Sequence, residues 1–254
     1  MSLDRRDFLR LAVGSAGTNL VGSVLPAFAA ANKTARAIAF DAFTTFDPRP
    51  VFVFAEELFP GQGAELSNVW RTRQFEYQWL RAASGHYADF WQATDGALVY
   101  AAQLLKLELT ADKRERLMGA YRKLKAWPDS APALRALKES GIRLALLSNA
   151  TPDLLEAWIG NSGLQGMYEH VLSTDTIRTF KPDPRAYQMA IDAFELNREQ
   201  IAFAAFGGWD AAGAKWFGYT TFWVNRLKLP VEELGVAPDG TGPTLAELVS
   251  FVAG

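Results

Sequence analysis

In the stretch "RAIAFDAFTTFD" an acidic residue, Asp41, follows directly on a short apolar run. Three later stretches repeat the arrangement with other chemistry. "LALLSNATPD" delivers Ser148 and Asn149, "IRTFKPDPRAY" delivers Lys181 after a loop, and "FGGWDAAGAKWFGY" delivers Asp210. Taken singly, a Ser or Asp in such a place is most often a turn or a helix cap. As an ordered set, an acid, a hydroxyl with an amide, a lysine and a second acid can bind an anion, orient a carboxylate and move a proton. Other chemistries drop out. The chain has no Cys, which excludes a thiol nucleophile and a disulfide framework. Its two histidines, His86 and His170, stand in no nucleophile or metal-ligand pattern, which argues against a His-based triad or a zinc site.

The elements that must carry these residues follow from the apolar periodicity. Short β-type runs at 37–40, 143–147, 170–172, 201–205 and 220–224 alternate with helical ones such as 133–139 and 184–194. That alternation predicts an α/β fold, a parallel Rossmann-like sheet with helices on both faces. In such a sheet ligands bind beyond the carboxyl ends of the strands, which is where Asp41, Ser148, Asn149, Lys181 and Asp210 fall. Between the first two strands the pattern differs. Four helical segments, 52–58, 65–83, 90–107 and 111–124, follow one another without a strand signal, with Asp89 and Thr110 as N-caps. A four-helix cap, residues 51–127, is thus expected as an insertion after the first strand of a sheet domain made of 36–50 and 128–254.

Composition sets the outer limits. A chain of 254 residues, 49% of them apolar, can bury a substantial core. The formal charge of -2 is spread without a basic run, so no nucleic-acid footprint is visible and small neutral or anionic ligands fit better. The first thirty residues join a paired-arginine start, Arg5 and Arg6, to a mildly apolar run diluted by Gly14, Ser15, Thr18, Asn19, Gly22 and Ser23. This resembles a bacterial twin-arginine export signal and is too polar for a bilayer-spanning helix. The expectation is a signal over residues 1–29, engagement of an export translocase, and a periplasmic address.

The four strand-end motifs, together with "NVWRTRQFEYQWLR" and "YADFWQATDGAL" in the helical insertion, resemble the haloacid dehalogenase superfamily and, within it, the L-2-haloacid dehalogenases. The resemblance runs from about residue 36 to the end. It implies hydrolysis of small (S)-2-haloacids to (R)-2-hydroxy acids, with Asp41 as the nucleophile that forms an ester. It also implies that Arg71 handles the halide, that Thr72 lies in the substrate region, that no cofactor is needed, and that a homodimer forms through the cap.

The chemistry can be set beside that resemblance. Phosphoryl transfer, the rival within the superfamily, needs Mg²⁺ and a second acid two residues after the nucleophile, and that position is Phe43. Near the fourth strand Asp210 is preceded by Trp209, so the usual acidic pair is also reduced. Halide displacement instead needs a dry pocket, for which Phe43, Phe75, Phe90 and Trp209 are candidates. Ordinary core packing is the alternative for each of these rings. Ser148, Asn149 and the start of a helix capped by Thr151 and opened by Pro152 would hold the substrate carboxylate. Lys181 would keep Asp41 ionised, and Asp210 would hold Lys181 or activate water. Tyr187 and Thr45 are candidate supporting hydrogen-bond donors. Arg71 could equally pair with Glu76, and Arg73 competes with it; the resemblance alone selects Arg71. A noncatalytic carboxylate-binding protein remains a third reading.

The sequence also departs from the family. Thr44 stands where Gly is usual, and Ala205 and Gly207 replace a Ser and an Asn that help position the hydrolytic water. Ester hydrolysis is therefore expected to limit turnover.

Overall fold

The computed structural model describes residues 35–253; the expected export signal, residues 1–29, lies outside them. The sheet has six parallel strands: β1 (Ala37–Phe40), β2 (Arg143–Ser148), β3 (His170–Ser173), β4 (Ile201–Ala205), β5 (Thr220–Val224) and β6 (Gly240–Gly242). Their order is β3-β2-β1-β4-β5-β6. The chain starts at the centre, builds outward through β2 and β3, and then returns to the other side of β1. That reversal puts a crevice between the carboxyl ends of β1 and β4, where Phe40 pairs with both Leu146 and Ala204.

Strand alternation explains the two layers of helices. Ile38, Phe40, Leu144, Leu146, Ala202 and Ala204 point to one face, against Leu134 and Leu137 of α6 (Ser130–Glu139) and Leu245 and Leu248 of α10 (Leu245–Ala253). Ala37, Ala39, Leu147, Ile201 and Phe203 point to the other, against Tyr187 and Ala190 of α8 (Pro184–Phe194) and Ala211 and Ala214 of α9 (Gly208–Phe217). Strands buried on both faces read as continuous apolar runs, and so they do here. The expectation missed β6, because Gly-Thr-Gly carries no apolar alternation to read. It also missed the four-residue helix α1 (Ala42–Thr45), which is too short to show a period.

After β1 and α1 come four further helices, α2 (Arg49–Leu58), α3 (Gly63–Ser84), α4 (Phe90–Leu104) and α5 (Ala111–Arg122), bracketed by an isolated antiparallel bridge between Phe46 and Ala126. Asp89 and Thr110 cap α4 and α5, accepting from the backbone of Gln92 and Lys113. The 22-residue α3 buries Leu66, Trp70, Gln74 and Gln78, a stripe at helical spacing. Trp70 Nε1 donates to the Thr94 carbonyl at 2.8 Å, locking α3 to α4. The insertion is joined to the sheet layer by α7 (Pro152–Asn161), whose Trp158 indole donates to the Tyr121 carbonyl of α5.

Candidate active site

Asp41 occupies the N-cap of α1, and its Oδ1 accepts from the Phe43 backbone N–H at 2.9 Å. The Thr44 hydroxyl donates to the Asp41 carbonyl at 2.7 Å, and Asp41 N–H donates to the Ala204 carbonyl of β4 at 2.8 Å. The backbone is therefore pinned by β4 on one side and by the first turn of α1 on the other. The second carboxylate oxygen, Oδ2, accepts from Lys181 Nζ at 2.6 Å. Lys181 also donates to Asp210 Oδ2 at 2.7 Å, and Tyr187 donates to Asp210 Oδ1 at 2.7 Å. These four side chains form one continuous chain of charge-assisted bonds from the far face of the sheet to the crevice.

These side chains are buried. Lys181 is 0% exposed, Asp210 1% and Asp41 8%. Burial by itself would lower the pKa of the Lys181 ammonium, but Asp210 and then Asp41 outweigh it and raise it above the ordinary lysine value. Burial pushes the Asp210 carboxyl up to about 6, with Lys181 pulling down and Asp41 pushing up. Burial and the adjacent Asp210 raise Tyr187 well above the ordinary phenol value, so its hydroxyl stays a donor. The ammonium thus bridges one oxygen of each carboxylate, Asp41 Oδ2 and Asp210 Oδ2.

Asp41 opens on a narrow inner chamber of about 30 Å³. Its polar side is formed by Ser148, Asn149, Ala150 and Gln78, and its apolar side by Phe43, Phe75, Phe90, Phe206 and Trp209, with Gly207 between them. An outer cleft of about 620 Å³ shares the wall made by Phe43, Phe75, Phe206 and Trp209 and carries Arg71 and Thr72. The wall is tied across the insertion: Phe75 and Trp79 of α3 meet Trp209 of α9 at centroid distances of 5.3 and 5.4 Å.

A profile of haloacid dehalogenase-like hydrolases matches residues 17–218. The sequence is 40% identical over 222 residues to haloacetate dehalogenase H-2 of Moraxella sp. (strain B), covering 87% of this chain and 99% of that protein. The chain belongs to the haloacid dehalogenase-like hydrolase family. This family member is also 40% identical over 217 residues to an (S)-2-haloacid dehalogenase of Pseudomonas sp. (strain YL), covering 85% of this chain and 94% of the other. The structure of the L-2-haloacid dehalogenase of Xanthobacter autotrophicus with chloropropionic acid covalently bound is similar at a TM-score of 0.80 and 34% identity, covering 87% and 99% of the two chains.

Within this haloacid dehalogenase-like hydrolase the residues singled out from sequence fall into distinct places. Asp41, Lys181, Asp210 and Tyr187 form the buried chain, while Ser148, Asn149, Phe43, Phe75, Phe90, Gly207 and Trp209 line the inner chamber. Arg71 and Thr72 line the outer cleft only. Arg73, not Arg71, takes Glu76 in an ion pair at 2.7 Å and donates to the Tyr100 hydroxyl, and Arg71 is among the residues that line the cleft. Thr45 is among the lining residues of neither the chamber nor the cleft. Its hydroxyl is bonded to Tyr168 at 2.8 Å inside the core, because the short helix α1 turns it away from Asp41. Thr151 holds the cap position of α7 but its hydroxyl bonds the Asp153 side chain instead of a backbone N–H.

Three contributors were not foreseen. Phe206 supplies part of the shared wall, 5.9 Å from Phe43 between ring centroids. Trp79 lines the outer cleft beside Arg71, with a buried indole N–H that has no partner among the described residues. Gln78 lies in the inner chamber, and its signal was readable: an amide at the buried stripe of α3 that also carries Trp70 and Gln74. Gly207 has φ -86° and needs no glycine for its backbone. A Cβ there would stand 2.7 Å from Trp209 Nε1, so the indole fills the space a side chain would take.

Proposed function

We propose that the protein is a hydrolytic (S)-2-haloacid dehalogenase that works through an ester on Asp41 and draws on no metal ion. The observation that carries this reading is the setting of Asp41, pinned through Oδ1 by Phe43 N–H and through Oδ2 by Lys181, and facing a chamber walled by aromatic rings. A fixed, partly desolvated carboxylate is a nucleophile for carbon, and a halide needs no general acid to leave. The names and the covalent chloropropionic acid complex of the relatives support the same substrate class.

An Asp41 oxygen attacks C2 of the substrate opposite the halogen. The new C–O bond forms as the carbon–halogen bond breaks, and its electron pair leaves with the halide. Water then adds to the Asp41 carboxyl carbon, and Asp210, held by Lys181 and Tyr187, accepts the proton. The bond between the Asp41 carboxyl carbon and the ester oxygen then breaks, that oxygen takes the proton from Asp210 and leaves in the (R)-2-hydroxy acid, and the water oxygen remains on Asp41, whose second proton goes to solvent. Arg71, beyond the aromatic wall in the outer cleft, lies where a halide driven away from Asp41 emerges.

In this reading residues 51–127 act as a cap on a sheet domain of 36–50 and 128–254. Residues 1–29 direct twin-arginine-type export to the periplasm, and two copies associate through the cap. Fractionation of expressing cells with N-terminal sequencing tests the export, and sedimentation tests the dimer. The activity is tested by chloride release from (S)-2-chloropropionate with and without EDTA, with chiral analysis of the lactate. EDTA-insensitive release of chloride and (R)-lactate is expected. No chloride release, together with Mg²⁺-dependent hydrolysis of p-nitrophenyl phosphate, would overturn the reading.

A further inference from the structure

The inner chamber contains a donor that the chain itself does not use. Gln78 is 0% exposed, and its Nε2 has no hydrogen-bond partner among the described residues. Burying an amide donor unpaired is unfavourable, so such a group points to a ligand that completes it.

The orientation of the amide follows from its neighbours. The Lys181 backbone N–H can only donate, and it donates to Asn149 Oδ1 at 2.8 Å; the Thr174 hydroxyl reaches the same oxygen at 3.3 Å. Asn149 must therefore present Nδ2 on its other side, and that group donates to Gln78 Oε1 at 3.0 Å. With Oε1 committed, Nε2 is the end of Gln78 that is left over, and Gln78 lines the chamber together with Asp41, Ser148, Asn149 and Ala150. The side chains on the opposite side of the chamber are aromatic, with the Trp209 indole N–H as their polar group.

We infer that Gln78 is a substrate-binding residue: its Nε2 donates to the carboxylate of the 2-haloacid and makes the helical insertion part of the carboxylate cradle, bracing C2 in front of Asp41. This rests on the dehalogenase reading for the identity of the substrate, though the cradle would serve any short carboxylate. It also gives the amide pair Gln78–Asn149 a purpose, since the same side chain grips Asn149 of the sheet edge with one end and the ligand with the other.

The test is calorimetric binding of propionate and of the neutral isostere propionamide to the full chain, for wild type, Gln78→Met and Gln78→Glu. A donor aimed at a carboxylate favours the anion, and losing a hydrogen bond to a charged group weakens binding on the order of 10- to 100-fold. Gln78→Met is expected to weaken propionate by that factor and propionamide much less, so that selectivity for the acid collapses. Gln78→Glu keeps the acceptor for Asn149 and is the variant that decides if the methionine fails to fold. There the loss of propionate should deepen as pH rises and the introduced carboxyl ionises. The KM for (S)-2-chloropropionate should rise in parallel, with kcat less affected. Equal weakening of both ligands, or no change in either, overturns the assignment and leaves Gln78 as a brace for Asn149. Propionate selectivity that depends on Gln78 in a protein that releases no chloride would uphold Gln78 and overturn the dehalogenase reading. Chloride release with unchanged selectivity would do the reverse.

Discussion

Lys181 Nζ donates to Asp41 Oδ2 at 2.6 Å across 140 residues of sequence, from a side chain that is entirely buried. A cation placed there fixes one carboxylate oxygen and is itself held from behind by Asp210, so removing the ammonium would leave two buried carboxylates facing each other without a counter-charge.

Replacing the cation tests that dependence. Lys181→Met should leave Asp41 and Asp210 as two buried carboxylates with no counter-charge, and removal of one partner of a buried ion pair typically costs about 3–5 kcal/mol. Urea unfolding at pH 7 is expected to show a loss of that size. The deficit should shrink at pH 5, where a shared proton relieves the repulsion. A variant as stable as wild type at both pH values would mean that the ammonium contributes nothing net.

The nucleophile is tested by Asp41→Asn, which preserves shape while removing the anion. Halide release should fall by several orders of magnitude, on the order of 10³ or more, with the melting temperature little changed. In wild type, a single turnover in ¹⁸O-water should place the label on the peptide that contains Asp41 and leave the hydroxy acid unlabelled. Label in the product of the first turnover would exclude the ester.

Asp210 sets the pH dependence. Its folded-state pKa is raised from 3.8 to about 6 by burial, so below about pH 6 it carries a proton and cannot accept one from water. The hydrolytic phase should therefore fall on the acid side of about 6, and single-turnover rates read as a function of pH check it. Stability depends on pH in the opposite sense. Between about 4 and 6 the folded chain binds this proton and the unfolded chain does not, so the Asp210 contribution to stability is largest in acid and is lost as pH rises through about 6. Asp210→Asn should remove that slope from the pH profile of unfolding.

Turnover should show a stoichiometric burst of halide followed by a slower phase, because Ala205 and Gly207 supply no side chain to orient water. Losing one such group commonly slows its step by a factor on the order of 10². Stopped-flow halide release, with the ester seen by intact mass, is the measurement. Restoring Gly207→Asn alone is not expected to leave the burst untouched, since the new Cβ falls on the Trp209 indole and pushes on the shared wall. Gly207→Asn combined with Trp209→Phe, which removes the Nε1 that the new Cβ would meet at 2.7 Å, should speed the slow phase with less effect on the burst. A linear course without detectable ester would show that hydrolysis is not limiting.

Sequence by itself determined the fold and the polar set at the strand ends. Strands buried on both faces have to be continuous apolar runs, and a group that follows such a run has to sit at the ligand edge of a parallel sheet, so Asp41, Ser148, Asn149 and Asp210 were legible from local pattern. Tertiary structure decided what local pattern does not encode. Thr45 and Thr44 are adjacent, yet one hydroxyl enters the core at Tyr168 and the other binds the Asp41 carbonyl, because helix α1 rotates neighbouring side chains about 100° apart. Arg71 and Arg73 have the same chemistry, and only the position of Glu76 and Tyr100 around α3 shows which one is committed elsewhere. The role of Gln78 depends on a relay from Lys181 through Asn149, partners 103 and 71 residues away along the chain, and a hydrogen bond between residues so distant exists only once the insertion has packed against the sheet.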